Sequence, residues 1–265
     1  NRDFRVYPGY RTLSDMELMI EKLLGFVLVL TRISACFLVL PVFGSRNIPA
    51  NIKVAMTLLL AVFFSMVVRL PIGGSGVSSL QAGLLIAGEA FYGLALGLIV
   101  NVVFSAVRFG VHIVEQEMGL TMAEVLDPLT GDSADPLSLL IEMLFIVLFL
   151  SVNGHHMLLM ILSRSYDSFP VGSTPTIPVM TEGIIKSGSV MFVAALRMAA
   201  PMLAIFLLLK VVLAVLARIV PEMDVLFMSF PLTVGLGLLV AGIFLPLVNG
   251  FLPEFSEWMG KLLPL

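Results

Sequence analysis

Six long apolar runs divide the chain, at residues 23–40, 52–70, 80–107, 137–162, 184–220 and 226–248, with polar, Gly-bearing and Pro-bearing stretches between them. Each is close to the ~20 residues an α-helix needs to cross a bilayer's hydrocarbon. Ser14 and Glu17 form an S-x-x-E capping box, which predicts a helix start there. Pro41 and Pro71 stop the first and second runs, and Pro201 interrupts the fifth. No run repeats another clearly, so an inverted-repeat transporter gains no support. The pattern predicts an all-α membrane protein of about six hydrophobic helical segments arranged as hairpins.

Charge changes that picture. Arg32, Glu89, Glu142, Arg197 and Lys210 lie deep inside the apolar runs. A central charge costs a membrane helix about 2.5–3.5 kcal/mol, while a central Leu returns only about 0.3–0.6 kcal/mol. Each run can still insert, but its charge must face another helix, a water-filled path or a partner subunit. On the third run Glu89, Gly93 and Gly97 fall at i, i+4 and i+8, on one stripe where small residues admit a second helix. Glu89 then has two readings: a satisfied carboxylate in a packing seam, or a member of a proton or ion relay.

The connection from residue 108 to 136 is unusual. Phe109, Val111, Ile113, Val114, Met118, Leu120, Met122, Val125 and Leu126 call for burial, whereas Glu115, Gln116, Glu117, Glu124 and Asp127 call for water or partners. Gly119 permits a sharp bend, Thr121 and Glu124 offer a second capping box, and Pro128, Gly131 and Pro136 close the segment. Two placements satisfy this composition. One is a re-entrant segment inside a pore, because non-helical backbone at membrane depth survives only in protein or along a cavity. The other is an amphipathic helix on the membrane surface. At the far end, Phe251, Phe255, Trp258, Met259, Leu262 and Leu263 recur at helical spacing and predict a short interfacial helix over residues 249–265.

Composition agrees with a membrane setting. The 265 residues are 59% hydrophobic and 12% charged, with mean hydropathy +1.07, against roughly 25% charged in a soluble domain. A net charge of -3 leaves no nucleic-acid footprint. The first apolar run is too long for a signal-peptide core and reads as retained. Eight Lys and Arg fall on the side of the termini against four on the other, but half of the eight sit in the N-terminal tail, so they give only a small vote for cytoplasmic termini. Cys36 stands alone and makes no intrachain disulfide. The chain holds no H-E-x-x-H pattern, no Walker A lysine loop and no metal-type Cys cluster. Gly74-Ser75-Gly76 reads as a flexible turn, and the adjacent His155 and His156 diverge by about 100° on a helix and share a metal poorly. No catalytic residue, cofactor or metal is expected.

Five groups of residues carry a resemblance. They are Arg32 before Pro41, Phe43, Pro49 and Lys53; Gln116-Glu117-Met118-Gly119-Leu120 with Asp127-Pro128; Asn153-Gly154-His155; Phe169-Pro170-Val171-Gly172-Ser173; and Pro221-Glu222-Met223 before Phe230-Pro231-Leu232 and Gly235-Leu236-Gly237. In this order the chain resembles the FliR family of flagellar export-gate proteins from about residue 13 to 248. The resemblance implies a non-enzymatic subunit of a type III protein export gate in the bacterial inner membrane, at the flagellar basal body. Its implied partners are FliP-like and FliQ-like subunits, an FlhB-like subunit, unfolded flagellar substrates and membrane lipids. It implies a FliP-like N-terminal part (13–107), a plug-like segment (108–136) and a C-terminal part (137–248) with a FliQ-like hairpin, all in one export-gate domain. Phe109, Gln116, Met118, Gly119, Leu120, Met122, Asp127 and Pro128 become channel-plug candidates. Arg32, Glu89, Glu142, Arg197 and Lys210 become buried charges or subunit contacts, with Gly93 and Gly97 at the helix seam. Asp224 and Ser229 depart from the family pattern, and Glu115, Glu117 and Glu124 make the segment unusually acidic. A virulence-injectisome subunit and, more distantly, a small-ion or solute transporter are the alternatives.

Overall fold

The structure, a computed structural model, describes residues 8–41, 49–68, 78–120, 136–173, 177–220 and 229–242, with backbone alone for 8–18. Every regular element among them is helical: α1 Pro8–Val39, α2 Ala50–Val67, α3 Ser79–Met118, α4 Pro136–Ser151, α5 Gly154–Ser168 and α6 Ile177–Ile219, then α7 Ser229–Gly242. Four of these helices are long and apolar enough to cross a membrane, or up to five if α4 and α5 form one broken span. The chain is an all-α membrane protein.

Several boundaries differ from those read in the sequence. α1 starts at Pro8 rather than at the Ser14 box, because Pro suits the first helical position, where its missing N–H is no loss. α3 does not stop at residue 107 but runs unbroken to Met118. Nothing between these points breaks a helix, and Arg108, Glu115 and Glu117 in its last turns all find partners. The fourth run is two helices rather than one, because Asn153 takes φ 60°, a left-handed conformation that Asn tolerates better than most residues. Pro201 does not interrupt α6, which passes through it. Pro removes one backbone hydrogen bond and is tolerated where neighbouring groups compensate. The expected tail helix over 249–265, and residues 221–228 with their motif, lie outside the described residues.

By contacts the chain forms two compact units. One comprises Asn1–Asn101, Leu158–Ile184 and Leu263–Leu265, the other Val102–Met157 and Ile185–Leu262. In the first unit α1 and α2 pack against each other. The N-terminal half of α3 also lies on α1, at the two glycines of the sequence stripe. A Cβ on Gly93 would collide with the Arg32 carbonyl oxygen and come within 2.8 Å of Ala35 Cβ, and one on Gly97 would stand 2.7 Å from the Cys36 carbonyl oxygen. Leu28, Val29, Ile33, Leu96, Ile99 and Val100 are buried in this unit. Asn101 Nδ2 donates to the Val39 carbonyl at 2.6 Å and covers the open end of α1.

The second unit is built on aromatic packing and another close crossing. Phe104 meets Phe145 and Phe149 edge-on, at 5.6 and 5.0 Å between ring centroids. A Cβ on Gly110 would lie 2.9 Å from the Ala195 carbonyl oxygen, so α3 and α6 touch backbone to backbone there.

The seam yields a paired prediction. Gly93→Ala adds a methyl where backbone already stands, and overpacking of this kind costs about 1–3 kcal/mol or more. Gly83→Ala, on the same helix with nothing within 4 Å of its Cβ, gains up to about 1 kcal/mol of helix propensity. Thermal unfolding in detergent should fall for the first and hold or rise for the second; equal behaviour would remove the seam.

Candidate functional site

Two polar constellations stand out from the apolar background, one in each unit. In the first, α1 places Arg32 and α3 places Glu89 where neither reaches solvent, with side chains 0% and 1% exposed. Arg32 Nε donates to Glu89 Oε2 at 2.6 Å. Its Nη1 donates to the carbonyls of Ser165 (3.2 Å) and Phe169 (2.9 Å). The guanidinium lies 4.4 Å from the Tyr166 ring centroid and 5.1 Å from that of Tyr92, where the ring faces attract a cation. Glu89 Oε1 accepts the backbone N–H of Gly172 at 2.8 Å.

The pair therefore does more than neutralise itself. It holds both ends of the turn Phe169–Ser173 at the end of α5. Gly172 can present its N–H because it adopts φ 79°, a region open to Gly at little cost. Tyr92 stacks on Phe169 at 5.0 Å and belongs to a core with Ala95 and Met180. Arg32 Nη2 and Ser173 Oγ are buried without a hydrogen-bond partner.

The second constellation is the C-terminal end of α3. Glu115 is fully buried. Its Oε1 accepts the N–H groups of Leu137 (2.8 Å) and Ser138 (2.9 Å), and Oε2 accepts the Ser138 hydroxyl. The carboxylate thus caps the first turn of α4 from another helix and sits at the positive end of that helix's dipole. One turn on, α3 ends in a glycine cap. Gly119 has φ 78°, its N–H donates to the Gln116 carbonyl, and the Leu120 N–H donates to that of Glu115, the 5→2 and 6→1 bonds of a Schellman ending. Met118 is buried, with its side chain against Gly237 of α7. The Thr233 hydroxyl donates to the Met118 carbonyl at 3.2 Å, and the Phe230 ring lies 3.7 Å from where a Gly119 Cβ would stand. Met118 and Gly119 thereby rest on α7, and Glu115 before them is tied to α4.

The remaining sequence candidates divide clearly. Phe109 packs edge-on against Phe192 of α6. Gln116 is exposed and shares a hydrogen bond with the His112 ring at 3.2 Å. Leu120 is half-buried. Met122, Asp127 and Pro128 lie outside the described residues. Among the embedded charges, Arg32 and Glu89 are brought together, whereas Glu142, Arg197 and Lys210 are not buried within this chain. Glu142 pairs with Arg108 and Lys210 with Glu117, in ion pairs that stay partly exposed. Arg197 is exposed on α6. Sequence reasoning left Tyr92, Tyr166, Gly172, Thr233 and the capping role of Glu115 unassigned. The mixed apolar and acidic pattern after residue 108 signalled that Glu115 needed a partner, but nothing local named it. Among the described residues no group of three or more His, Cys, Asp or Glu could hold a metal.

Residues 23–258 match the family model described as bacterial export proteins, family 1. Flagellar biosynthetic protein FliR of Bacillus subtilis (strain 168) is 33% identical over 233 residues, which cover 85% of this chain and 87% of that protein. FliR of Escherichia coli (strain K12) is 29% identical over 229 residues, 86% of this chain and 87% of its own length. Yop proteins translocation protein T of Yersinia pestis is 28% identical over 224 residues, 82% of this chain and 84% of that one.

The clamp makes a testable energetic statement. Glu89→Ala leaves a buried guanidinium without its countercharge and should cost about 3–5 kcal/mol, while a volume-matched apolar pair, Arg32→Met with Glu89→Leu, should recover much of that loss. Unfolding measured in mixed detergent checks the order. Hydrogen exchange at the Gly172 N–H should still quicken in the double variant, because its acceptor is gone. Unchanged exchange there would dissociate the pair from the turn.

Proposed function

The chain belongs to bacterial export proteins, family 1, the family of FliR, and we propose that it is a non-enzymatic subunit of the flagellar type III protein export gate. The observation that carries this reading is a match to the family over residues 23–258, together with flagellar relatives aligned over most of both chains. The gate sits in the bacterial inner membrane at the flagellar basal body and passes unfolded flagellar subunits. Its other members are FliP-like and FliQ-like subunits and an FlhB-like subunit. The whole chain acts as one export-gate domain.

In this reading the segment after residue 108 occludes the closed channel. Its described part suits that task physically. A plug must be anchored at its root and still end at a defined point, and residues 116–120 are held by the Glu115 cap, the Thr233 bond and the seat of Met118 against Gly237. Arriving substrate displaces the stretch beyond that root. Arg197, on the exposed face of α6, is read as part of a subunit contact.

One observation favours a second reading. The match to Yop proteins translocation protein T of Yersinia pestis spans 82% of this chain, so an injectisome subunit with effector cargo shares the same biochemistry. Restored motility in a flagellar strain lacking its own FliR supports the flagellar assignment, and restored effector secretion alone would favour the other.

Deleting Gly119–Ala123 should leave the gate assembled but let ions through, read as membrane conductance in cells expressing the complex. Ion flux equal to that of the intact gate would end the plug proposal. Arg197→Glu should lower recovery of the co-purified gate subunits several-fold, and normal recovery would remove the subunit-contact role.

A further inference from the structure

The last turn of α3 sends its side chains to three different helices. Glu115 caps the first turn of α4 through the N–H groups of Leu137 and Ser138. Glu117 pairs with Lys210 of α6. Met118 lies against Gly237 of α7, and its carbonyl accepts the Thr233 hydroxyl. Residues on a helix turn by about 100° each, so positions 115, 117 and 118 leave α3 in three separate directions. The end of α3 is tethered on three sides.

The three tethers differ in kind. Glu115 and Met118 are fully buried. Parting the first strands backbone donors of α4, and parting the second uncovers apolar surface. The Glu117–Lys210 pair joins two side chains that are 31% and 54% exposed. Solvent ions reach such a pair, and its strength falls with salt. Its place on α6 is also distinct. Phe109 on Phe192 and Gly110 on the Ala195 backbone join α3 to α6 before Pro201. Lys210 joins them beyond it, past the point where proline takes one backbone hydrogen bond out of α6. The residues three and four positions from Lys210 on α6, Phe206, Leu207, Leu213 and Ala214, are apolar, so its own helix offers it no countercharge there.

We infer that Lys210 is a positioning residue for the plug: through Glu117 its ammonium holds the end of α3 in place, and this tether yields before the other two. The inference deepens the plug reading and takes its functional meaning from it. Glu117 stands two residues before Gly119, where φ 78° ends the helix, so a pull at Glu117 sets the direction in which the following chain departs. Lysine suits a tether that must part and re-form. It is a compact charge on a flexible stem and pairs over a range of positions. The buried Glu115 cap has no such freedom, because its partners are the fixed N–H groups of a helix end.

The test follows amide hydrogen exchange at Gly119 and Leu120, whose N–H groups close the α3 ending, in the purified native complex. Lys210→Met and Glu117→Gln should each quicken it about fivefold, the worth of one partly exposed ion pair. Lys210→Arg should keep the slow rate, and the exchanged pair, Glu117→Lys with Lys210→Glu, should restore it. Salt at roughly 1 M screens beyond about 3 Å. It should quicken Gly119 and Leu120 in the unmutated chain, leave Leu137 and Ser138 unchanged, and add nothing in Lys210→Met. Unchanged exchange in the single variants, no recovery in the exchanged pair, or equal salt sensitivity at Leu137 and Ser138 would each overturn the inference. Membrane conductance is read beside the Gly119–Ala123 deletion. A deletion that leaks while Lys210→Met stays tight overturns the positioning role. Exchange that responds as expected while the deletion stays tight supports the tether and removes the plug.

Discussion

A guanidinium surrounded by apolar side chains has to be answered locally, and the architecture of the first unit depends on how Arg32 is answered. Its charge is matched by Glu89 and by two aromatic faces, and its Nη1 donates to carbonyls at the end of α5. Each answer comes from a different stretch of chain. The carboxylate is 57 residues away and the carbonyls more than 130. An ion pair of this kind adds little net stability over an apolar pair of equal volume, because desolvation offsets the attraction. What it contributes is selectivity, since any register that separates Arg32 from Glu89 leaves two buried charges orphaned. The Gly93 and Gly97 stripe makes that selection geometric, for it brings the α3 backbone onto α1 at the level of Arg32 itself.

The same logic recurs in the second unit with a different ending. Glu115 is buried and fully used by backbone and hydroxyl donors of α4. Two residues on, Glu117 reaches Lys210 near the surface. A carboxylate that caps a helix needs no cation, because the helix end supplies the positive partner. This is why an acidic stretch can continue a helix that composition alone suggested would end. It also gives residues 116–120 a fixed root, which a plug requires and a freely floating surface helix does not.

Much of this was legible in the sequence, and the reason is periodicity. Apolar runs near 20 residues, bounded by Pro and Gly, mark membrane-length helices whatever they pack against, and the Glu89, Gly93, Gly97 stripe is a local pattern. The boundaries that escaped depend on distant partners. α3 outruns residue 107 because Arg108, Glu115 and Glu117 are met by Glu142, by α4 and by Lys210, and no local signal encodes those meetings. The break at Asn153 escaped for the opposite reason, being a single-residue conformational choice inside an apolar run. The pairing of Arg32 with Glu89 was legible as a need and not as an identity: each charge announced that it required shelter, without naming the other.

The long helices carry the last step. α3 has 40 residues and α6 has 43, so each is about 60 Å long at 1.5 Å per residue, twice the hydrocarbon thickness of a bilayer. Half of each must be housed by something other than lipid tails. In its most apolar stretch α3 is 61% buried by this chain, whereas that of α6 is 17% buried. α6 exposes Leu207, Leu208, Val211, Val212 and Val215 around Lys210, with Arg218 in its last turn. Water would be costly for the leucines and valines, and hydrocarbon would be costly for the lysine and arginine. A neighbouring protein surface with apolar grooves suits the leucines and valines, while Lys210 is already met by Glu117 of α3. The subunit reading of this chain is therefore supported by α6 on solvation grounds, independently of its relatives: it is a helix that no single solvent suits along its whole length.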